Sequence, residues 1–198
     1  MSNAKEEFIE IYEKHITREG NKELLKWLMQ SDFFTAPAST RFHSAYEGGL
    51  CEHSVKVYKR YLNMIQNEYG ENYNQVISDE SIAIIALLHD VCKVNCYKVE
   101  YRNAKDETGT WVKKPYYAFD EDLPYGHGEK SVYIINGFLR LTREEAIAIN
   151  WHMGGFDMRA KSGSQTYANA YYKFPIACIF HVADTLTTYL DETQETQN

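Results

Sequence analysis

The sequence contains no long apolar run. Its longest apolar stretch covers residues 82–88, far short of the ~18–20 residues that a membrane-spanning helix needs. No apolar segment near the start resembles a signal peptide, and residues 1–4 resemble the remnant of an expression tag. These absences argue against a membrane partner, and we expect a soluble, cytoplasmic protein.

Positive charge is scarce as well. The chain has 21 Lys and Arg residues against 28 Asp and Glu residues, which gives a net charge of -7. We therefore expect no broad electrostatic binding to nucleic acid or to an anionic membrane, although a local basic pocket is compatible with this charge.

Cysteine is sparse, and no two cysteines form a CxxC unit. A chain of 198 residues can build a hydrophobic core without disulfides, so the four cysteines are predicted to be reduced thiols. Cys92 and Cys96 are close in sequence, but no second pair accompanies them. We interpret both as small buried residues rather than metal ligands.

The composition itself is that of an ordinary globular protein. Hydrophobic residues make up 44% and charged residues 25% of the chain, which excludes a disordered or fibrous protein. Because the sequence has no internal repeat or long linker, we assign residues 1–198 to one domain, with a frayed end at 191–198.

Helical periodicity dominates the pattern of apolar residues, so we expect an all-α or mainly α-helical fold. Ser78 and the pair Thr142 and Glu145 have the residue types of helix caps. Helices are predicted for two short N-terminal segments, for about 50–69 and 79–88, and from residues 127, 143 and 175 onward. Loops are predicted at 31–49 and from Gly154 to about residue 173.

One segment changes to the periodicity of a strand. Tyr97, Val99 and Tyr101 alternate with polar residues, and residues 106–109 form a turn signal before a second aromatic-rich stretch. We predict a β-hairpin inserted at about 96–119. Its aromatic residues favour a structural role, covering the core or a dimer partner, with stacking on a nucleobase as the alternative.

The histidines and aspartates carry the chemical information. His53 lies in the inward-facing stripe of its helix, and His89 and Asp90 directly follow seven apolar residues. Burying a carboxylate without a partner is costly, and a metal ion would offset that cost. Asp184 offers a second inward carboxylate on the last helix.

Further polar side chains surround this group in the predicted fold. Lys93 lies one helical turn after Asp90, where it could contact a substrate phosphate or simply neutralise the carboxylate. His127 and His152 occupy helix ends, from which they could reach a shared cavity. The candidate substrate-binding residues are His43, Lys93 and His181.

Taken in order, His53, the His89-Asp90 doublet and Asp184 resemble the H...HD...D signature of the HD-domain metal-dependent phosphohydrolases. His127 and His152 match the two extra histidines of the bimetallic branch of that superfamily. Segments 42–54 (FHSAYEGGLCEHS) and 87–93 (LLHDVCK) are similar to the HD-type 3'-to-5' exoribonucleases. The resemblance covers about residues 40–190.

This resemblance implies an HD-domain helical bundle and one or two divalent metal ions. It implies one ion held by His53, His89, Asp90 and Asp184, and a second held by Asp90 as a bridge with His127 and His152. Two such ions can activate a water for in-line attack on a phosphate ester, with Asp90 and Lys93 as the catalytic residues. A ligand set rich in imidazole favours Mn, Fe, Co, Ni or Zn over Mg alone.

The sequence also departs from the relatives named by the resemblance. The segment before residue 31 is too short for the OB domain of the exoribonucleases, and the Gly-Tyr-Pro element of the cyclic-di-GMP phosphodiesterases is missing. We expect hydrolysis of a small phosphorylated substrate, a nucleotide or another phosphate ester. The alternatives are a 3'-to-5' exonuclease on short single strands and a non-catalytic sensor that binds metal and nucleotide. The sequence is also compatible with a homo-oligomer.

Overall fold

The computed structural model describes residues 3–41 and 44–192. This part of the chain is mainly helical and contains one two-stranded antiparallel sheet, which confirms the predicted mainly α-helical class and the hairpin. The α-helices are α1 (Asn3–His15), α2 (Asn21–Gln30), α3 (Gly49–Tyr69), α4 (Asp79–Leu88), α5 (His127–Asn136), α6 (Arg143–Asn150), α7 (Met158–Lys161), α8 (Thr166–Lys173) and α9 (Pro175–Leu186).

Short 3-10 and π-helical turns follow several of these helices. They are the 3-10 turns Gly70–Gln75, Val91–Lys93 and Gly154–Phe156, and the π-helical turn Thr187–Asp191. No helix in the described ranges combines the length and the apolar character needed to cross a bilayer.

Helix α4 forms the centre of the core. Ser78 caps it by accepting a hydrogen bond from the backbone N–H of Ser81 at 3.1 Å, and all residues from 82 to 88 are buried. Helices α1, α3 and α6 pack against α4, and α9 packs against α3 and α6. The helices packed around α4 therefore also enclose its C-terminal end.

A buried carboxylate ties the N-terminal helices to this core. Glu145 is fully buried, and the Arg18 guanidinium donates to its two oxygens at 2.7 and 2.9 Å. The Glu145 carboxylate also accepts from the backbone N–H of Thr142 at 2.7 Å, which completes the predicted capping box. Arg18 lies between α1 and α2, so one side chain fixes that turn against α6.

The β-hairpin consists of β1 (Tyr97–Lys105) and β2 (Trp111–Phe119), paired from Tyr97 with Phe119 at the base to Lys105 with Trp111 at the tip. Asp106 organises the turn by accepting backbone N–H groups of Thr108 and Thr110 at 2.9 and 3.0 Å, and Gly109 supplies the positive φ of +83°. At the base, Tyr97 packs against the core. Most of the remaining hairpin projects into solvent.

The segment predicted as a loop from Gly154 to residue 173 contains helices α7 and α8 instead. Asp157 caps α7 by accepting from the backbone N–H of Arg159 at 2.8 Å, and the Tyr171 hydroxyl anchors α8 by donating to the Trp151 carbonyl at 2.6 Å. Both helices are short, and they bury few apolar side chains. They therefore lack the apolar stripe that periodicity can detect.

The structure also describes part of both chain ends. Residues 3 and 4, assigned to a tag remnant, begin α1. Asp191 and Glu192, assigned to a frayed end, make side-chain contacts: Asp191 pairs with Arg60, and Glu192 is buried. Residues 193–198 lie outside the described ranges.

Candidate metal centre

The polar residues singled out in the sequence converge at the C-terminal end of α4. Residues of this region line a cavity of about 680 Å³. His89 and Asp90 follow α4 directly, and the neighbouring helices supply the rest, namely His53 from α3, His127 from the start of α5, His152 from the turn after α6, and Asp184 from α9. The packing around α4 therefore brings together residues that lie far apart in sequence.

His53, His89 and Asp184 form a first group whose ligand atoms lie within 4.8 Å of one another. The Nε2 atoms of His53 and His89 are 3.3 Å apart. Oδ1 of Asp184 lies 3.2 Å from the first and 3.9 Å from the second of these nitrogens. This spacing can accommodate one cation between two imidazoles and a carboxylate.

Three imidazoles are oriented by hydrogen bonds from their Nδ1 atoms. Nδ1 of His53 lies 2.9 Å from Oε1 of Glu192, Nδ1 of His89 lies 2.9 Å from the Ala86 carbonyl, and Nδ1 of His152 lies 2.6 Å from the Ile149 carbonyl. The carbonyl oxygens can only accept, so Nδ1 of His89 and of His152 carries a proton, and Nε2 is the ring nitrogen that faces the site. This orientation is typical of histidines that bind a metal through Nε2.

Asp90 lies between the first group and a second one. Its Oδ1 is 2.9 Å from Nε2 of His127 and 3.6 Å from Nε2 of His152. Its Oδ2 is 3.5 Å from Nε2 of His89. The two carboxylate oxygens thus face different sets of imidazoles, which is the arrangement that a bridging ligand requires.

The surroundings of the His152 side chain indicate whether these residues fit a cation. Its Nε2 is buried, and within the described part of the chain it has no hydrogen-bond partner. A buried ring nitrogen left without a partner is costly, and coordination to a metal ion would satisfy it. His89, Asp90 and His152 also form a second compact group of ligand atoms. The donor set therefore fits a divalent metal.

Cys92 lies beside possible metal ligands, whereas the sequence interpretation treated it only as a small buried residue. It is buried, as predicted, but its Sγ lies 3.4 Å from Nδ1 of His127. Together with Asp90 it completes a third group that could hold a metal ion. Burial raises the pKa of the Cys92 thiol, so the neutral form is favoured in the metal-free chain. Cys96 lies outside these groups and contacts Lys130.

The electrostatics of the site keep its carboxylates ionised. Burial opposes ionisation of Asp90, but Lys93, His89 and the nearby imidazoles of His127 and His152 outweigh it and hold the pKa of Asp90 well below its usual range. In the same way, burial opposes protonation of His53, yet the hydrogen bonds to Asp184 and Glu192 raise the pKa of His53 to about 10. In the metal-free chain a proton on His53 thus supplies positive charge that a bound cation would otherwise supply.

The contacts of Lys93 are compatible with both roles considered for it, which are neutralisation of Asp90 and contact with a substrate phosphate. Its ammonium donates to Oδ2 of Asp90 at 2.6 Å, so it does neutralise this carboxylate. It also lines the cavity, where a substrate would lie. Burial opposes its protonation, but the Asp90 carboxylate outweighs that effect and raises the pKa of Lys93, so the charge is retained.

His181 lies at the wall of the cavity rather than among the three groups of possible ligands. Its Nδ1 is 2.6 Å from the His152 carbonyl, and its ring stacks on Tyr171 with the planes at 23°. Gly154 makes room for this ring, because a Cβ there would lie 2.7 Å from it. His43, the other candidate for substrate binding, lies outside the described residues.

The sequence interpretation missed two features of the site. Glu192 orients His53, but the polar segment around it has no periodicity that could have indicated a buried position. Tyr97 and Phe119, at the base of the hairpin, line the cavity together with Phe156. The alternation in the hairpin predicted the strands, but not which of their faces meets the site.

Comparison with known proteins shows a partial similarity to a curated phosphodiesterase. The chain is 38% identical over 79 residues to the dihydroneopterin 2',3'-cyclic phosphate phosphodiesterase of Methanocaldococcus jannaschii. The aligned stretch covers 38% of this chain and 28% of the length of that protein. No protein-family profile matches the chain, and no solved structure matches it significantly.

Proposed function

We propose that this chain is an HD-family metal-dependent phosphohydrolase that acts on a nucleotide or another small phosphate ester. The observation that carries the proposal is the convergence of the buried, Nδ1-anchored imidazoles of His89 and His152, together with His127, on the two oxygens of Asp90. The similarity to a protein named as a phosphodiesterase supports the same class of reaction.

Two sets of residues are proposed to hold the metal ions. The first set is His53, His89, Asp90 and Asp184, and the second is Asp90, His127 and His152. Bound there, the ions would lower the pKa of a water and stabilise the negative charge of the phosphoryl group. The predominance of imidazole favours Mn, Fe, Co, Ni or Zn over Mg alone.

The remaining polar residues are proposed to bind and orient the substrate. The Lys93 ammonium is fixed against Asp90 and borders the cavity, so it can also donate to a phosphoryl oxygen. The His181 ring is held in place at the cavity wall by the His152 carbonyl. A cavity of about 680 Å³ is within the usual range for a small-molecule site.

The name of the relative indicates which esters to test first. That protein is named for a 2',3'-cyclic phosphate, that of dihydroneopterin. Cyclic phosphodiesters are therefore the first class to examine, followed by nucleoside monophosphates and short oligonucleotides.

The proposal is tested by loading the metal-stripped protein separately with Mn, Fe(II), Co, Ni, Zn or Mg. Each form is incubated with 2',3'-cyclic nucleotides, nucleoside monophosphates and dinucleotides, and the products are followed by phosphorus NMR. We expect cleavage with at least one transition metal and none with Asp90→Asn, whereas the exposed Asp120→Asn serves as the matched control. Tight nucleotide binding without cleavage under every metal would instead support the sensor.

A further inference from the structure

Cys92 is held beside the metal centre by a contact with helix α5. Its backbone N–H donates to the Ser131 hydroxyl at 3.2 Å, and Ser131 lies four residues after His127 on that helix. Residues four apart share one face of a helix, so Ser131 holds the turn that contains Cys92 against the face that presents His127. Because Cys92 also lies two residues after Asp90, its thiol is fixed close to both of these proposed ligands.

The thiol lies close enough to the second set of proposed ligands to join it. Its Sγ is 3.4 Å from Nδ1 and 3.7 Å from Nε2 of His127, and one ligand atom each from Asp90, Cys92 and His127 fits within 4.8 Å. Zinc binds sulfur at about 2.3 Å and nitrogen or oxygen at about 2.0–2.2 Å, which places neighbouring tetrahedral ligand atoms about 3.3–3.7 Å apart. Rotation of the His127 ring and of the thiol about their side-chain bonds can therefore bring all three to one cation.

The buried ring of His152 points to a cation at the same place. Its Nε2 has no hydrogen-bond partner in the described part of the chain, and it lies 3.6 Å from Oδ1 of Asp90. The same oxygen is 2.9 Å from Nε2 of His127, and the centres of the His127 and His152 rings are 5.0 Å apart. The unsatisfied nitrogen and the Cys92 sulfur thus belong to overlapping groups of ligand atoms that share Asp90.

We propose that Cys92 binds the second metal ion as a thiolate, together with Asp90, His127 and His152. This assignment rests on the proposed function, because it takes a metal ion to be bound there. As the sulfur–metal bond forms, the thiol releases its proton to solvent, since a coordinating thiol is deprotonated by the cation. Four protein ligands still leave access for water or substrate, because zinc can expand to five ligands.

A sulfur ligand gives the second position a different metal preference from the first. Thiolate is a soft ligand that favours zinc, whereas manganese and magnesium suit oxygen ligands. The first group of ligand atoms comes from His53, His89 and Asp184, which supply only imidazole and carboxylate. Among the metals considered for the site, Cys92 therefore favours zinc over manganese at the second position.

The sulfur–metal bond is tested on the full chain by cobalt substitution. The metal-stripped protein is titrated with Co(II), and the near-ultraviolet absorption is recorded, where charge transfer from thiolate to cobalt adds a band that nitrogen and oxygen ligands do not give. We expect this band in the wild type, its loss in Cys92→Ser and its retention in Cys96→Ser. Cys96 is the matched control because it is also buried and lies four residues further along the chain, where it contacts Lys130 instead.

X-ray absorption at the zinc edge tests the same bond without a variant. The zinc-loaded wild type should show a sulfur neighbour at about 2.3 Å, and this result does not depend on whether Cys92→Ser folds. A thiol that only packs against the His127 ring would leave nitrogen and oxygen alone around the zinc. That result, or a cobalt band that Cys92→Ser retains, would overturn the proposal.

The metal preference is measured by competition titrations of zinc and manganese against a fluorescent chelator. The ratio of the manganese Kd to the zinc Kd at the weaker site should fall at least about tenfold in Cys92→Ser, since even an outer-shell partner of a ligand contributes about 10–100-fold to metal affinity. Cys96→Ser should change this ratio less than about twofold. An equal ratio in the wild type and in Cys92→Ser would contradict the assigned preference.

Two outcomes separate this assignment from the proposed function. Ester cleavage by a protein whose zinc has no sulfur neighbour would refute the role of Cys92 and leave the proposed function standing. A sulfur–zinc bond in a protein that cleaves no ester with any metal would support the role of Cys92 and refute the proposed function instead.

Discussion

Asp90 shows how one side chain can serve two halves of a site. One of its oxygens faces His127 and His152, and the other faces His89 and the Lys93 ammonium. An amide at this position would keep the shape but lose the charge that would balance the two proposed cations. The neighbouring imidazoles therefore form two proposed sets. His53 and His89 belong to the set that includes Asp184, and His127 and His152 belong to the set that does not.

This division predicts different metal contents for different histidine variants. His127→Ala should leave about one ion per chain and lower the rate strongly, because only the second set loses a ligand. His53→Ala should empty the first position and destabilise the second, since Asp90 loses a cation that orients it. Elemental analysis of the purified proteins measures this, with the surface variant His15→Ala as control. A wild type with one ion that His127→Ala retains at full affinity would contradict the two-ion assignment.

Glu192 is predicted to tune the metal affinity through His53. Its carboxylate accepts from Nδ1 of that histidine at 2.9 Å, and removing such a partner lowers metal affinity by about 10–100-fold. Glu192→Ala should show this loss in a competition titration with a fluorescent chelator. Glu192→Gln keeps an acceptor and should lose less, which separates orientation from charge. Equal affinities for the wild type and both variants would show that Glu192 only packs, and Glu71→Gln controls for the loss of a surface charge.

At the scale of elements, the arrangement of α4 and α6 depends on a buried ionic network. Arg18 contacts Glu80 in the first turn of α4 as well as Glu145 in the first turn of α6. The Ser81 hydroxyl also donates to Glu145 at 2.7 Å. The helices that end at the metal centre are thus fixed at their opposite ends by one guanidinium.

Arg18→Ala should destabilise the protein by about 3 kcal/mol, because it leaves the buried Glu145 carboxylate without its cation. Urea unfolding followed by circular dichroism measures the change, and Arg143→Ala, an exposed arginine on α6, should change stability by no more than about 0.5 kcal/mol. If the two variants unfold at the same urea concentration, the network contributes little to stability.

The elements that could be predicted from the sequence are those with a local signal. Ser78, the apolar run after it and the Thr142 capping box mark α4 and α6 in the sequence, and the alternation from Tyr97 marks the hairpin. Helices α7 and α8 are short and mostly exposed, so they have no such signal. The contact of Glu192 with His53 spans 139 positions, and no local pattern specifies a contact of that kind.

At the scale of the whole molecule, the site joins helices from most of the described chain. Residues from α3, α5 and α9 meet the His89-Asp90 pair at the end of α4. A ligand that binds such a site only when it is assembled stabilises the folded state as a whole.

We therefore expect metal to raise the thermal stability of the protein. At a free metal concentration of 100 times Kd, the gain is about 2.7 kcal/mol, or about 5–11 °C in Tm for a chain of this size. Differential scanning fluorimetry with and without chelator measures the shift, and Asp90→Asn should reduce it. An identical shift in the wild type and in Asp90→Asn would place the bound metal elsewhere.

The distance in sequence between His53 and Glu192 has a consequence for biosynthesis. A ribosome adds roughly 5–20 residues per second, so the 139 positions that separate the two residues take roughly 7–28 s to make. For most of this interval the nascent chain carries His53 and then the His89-Asp90 pair, but Asp184 is added only near its end. The complete proposed ligand set therefore exists only after residue 184 is made, and we expect selective metal loading to follow that point.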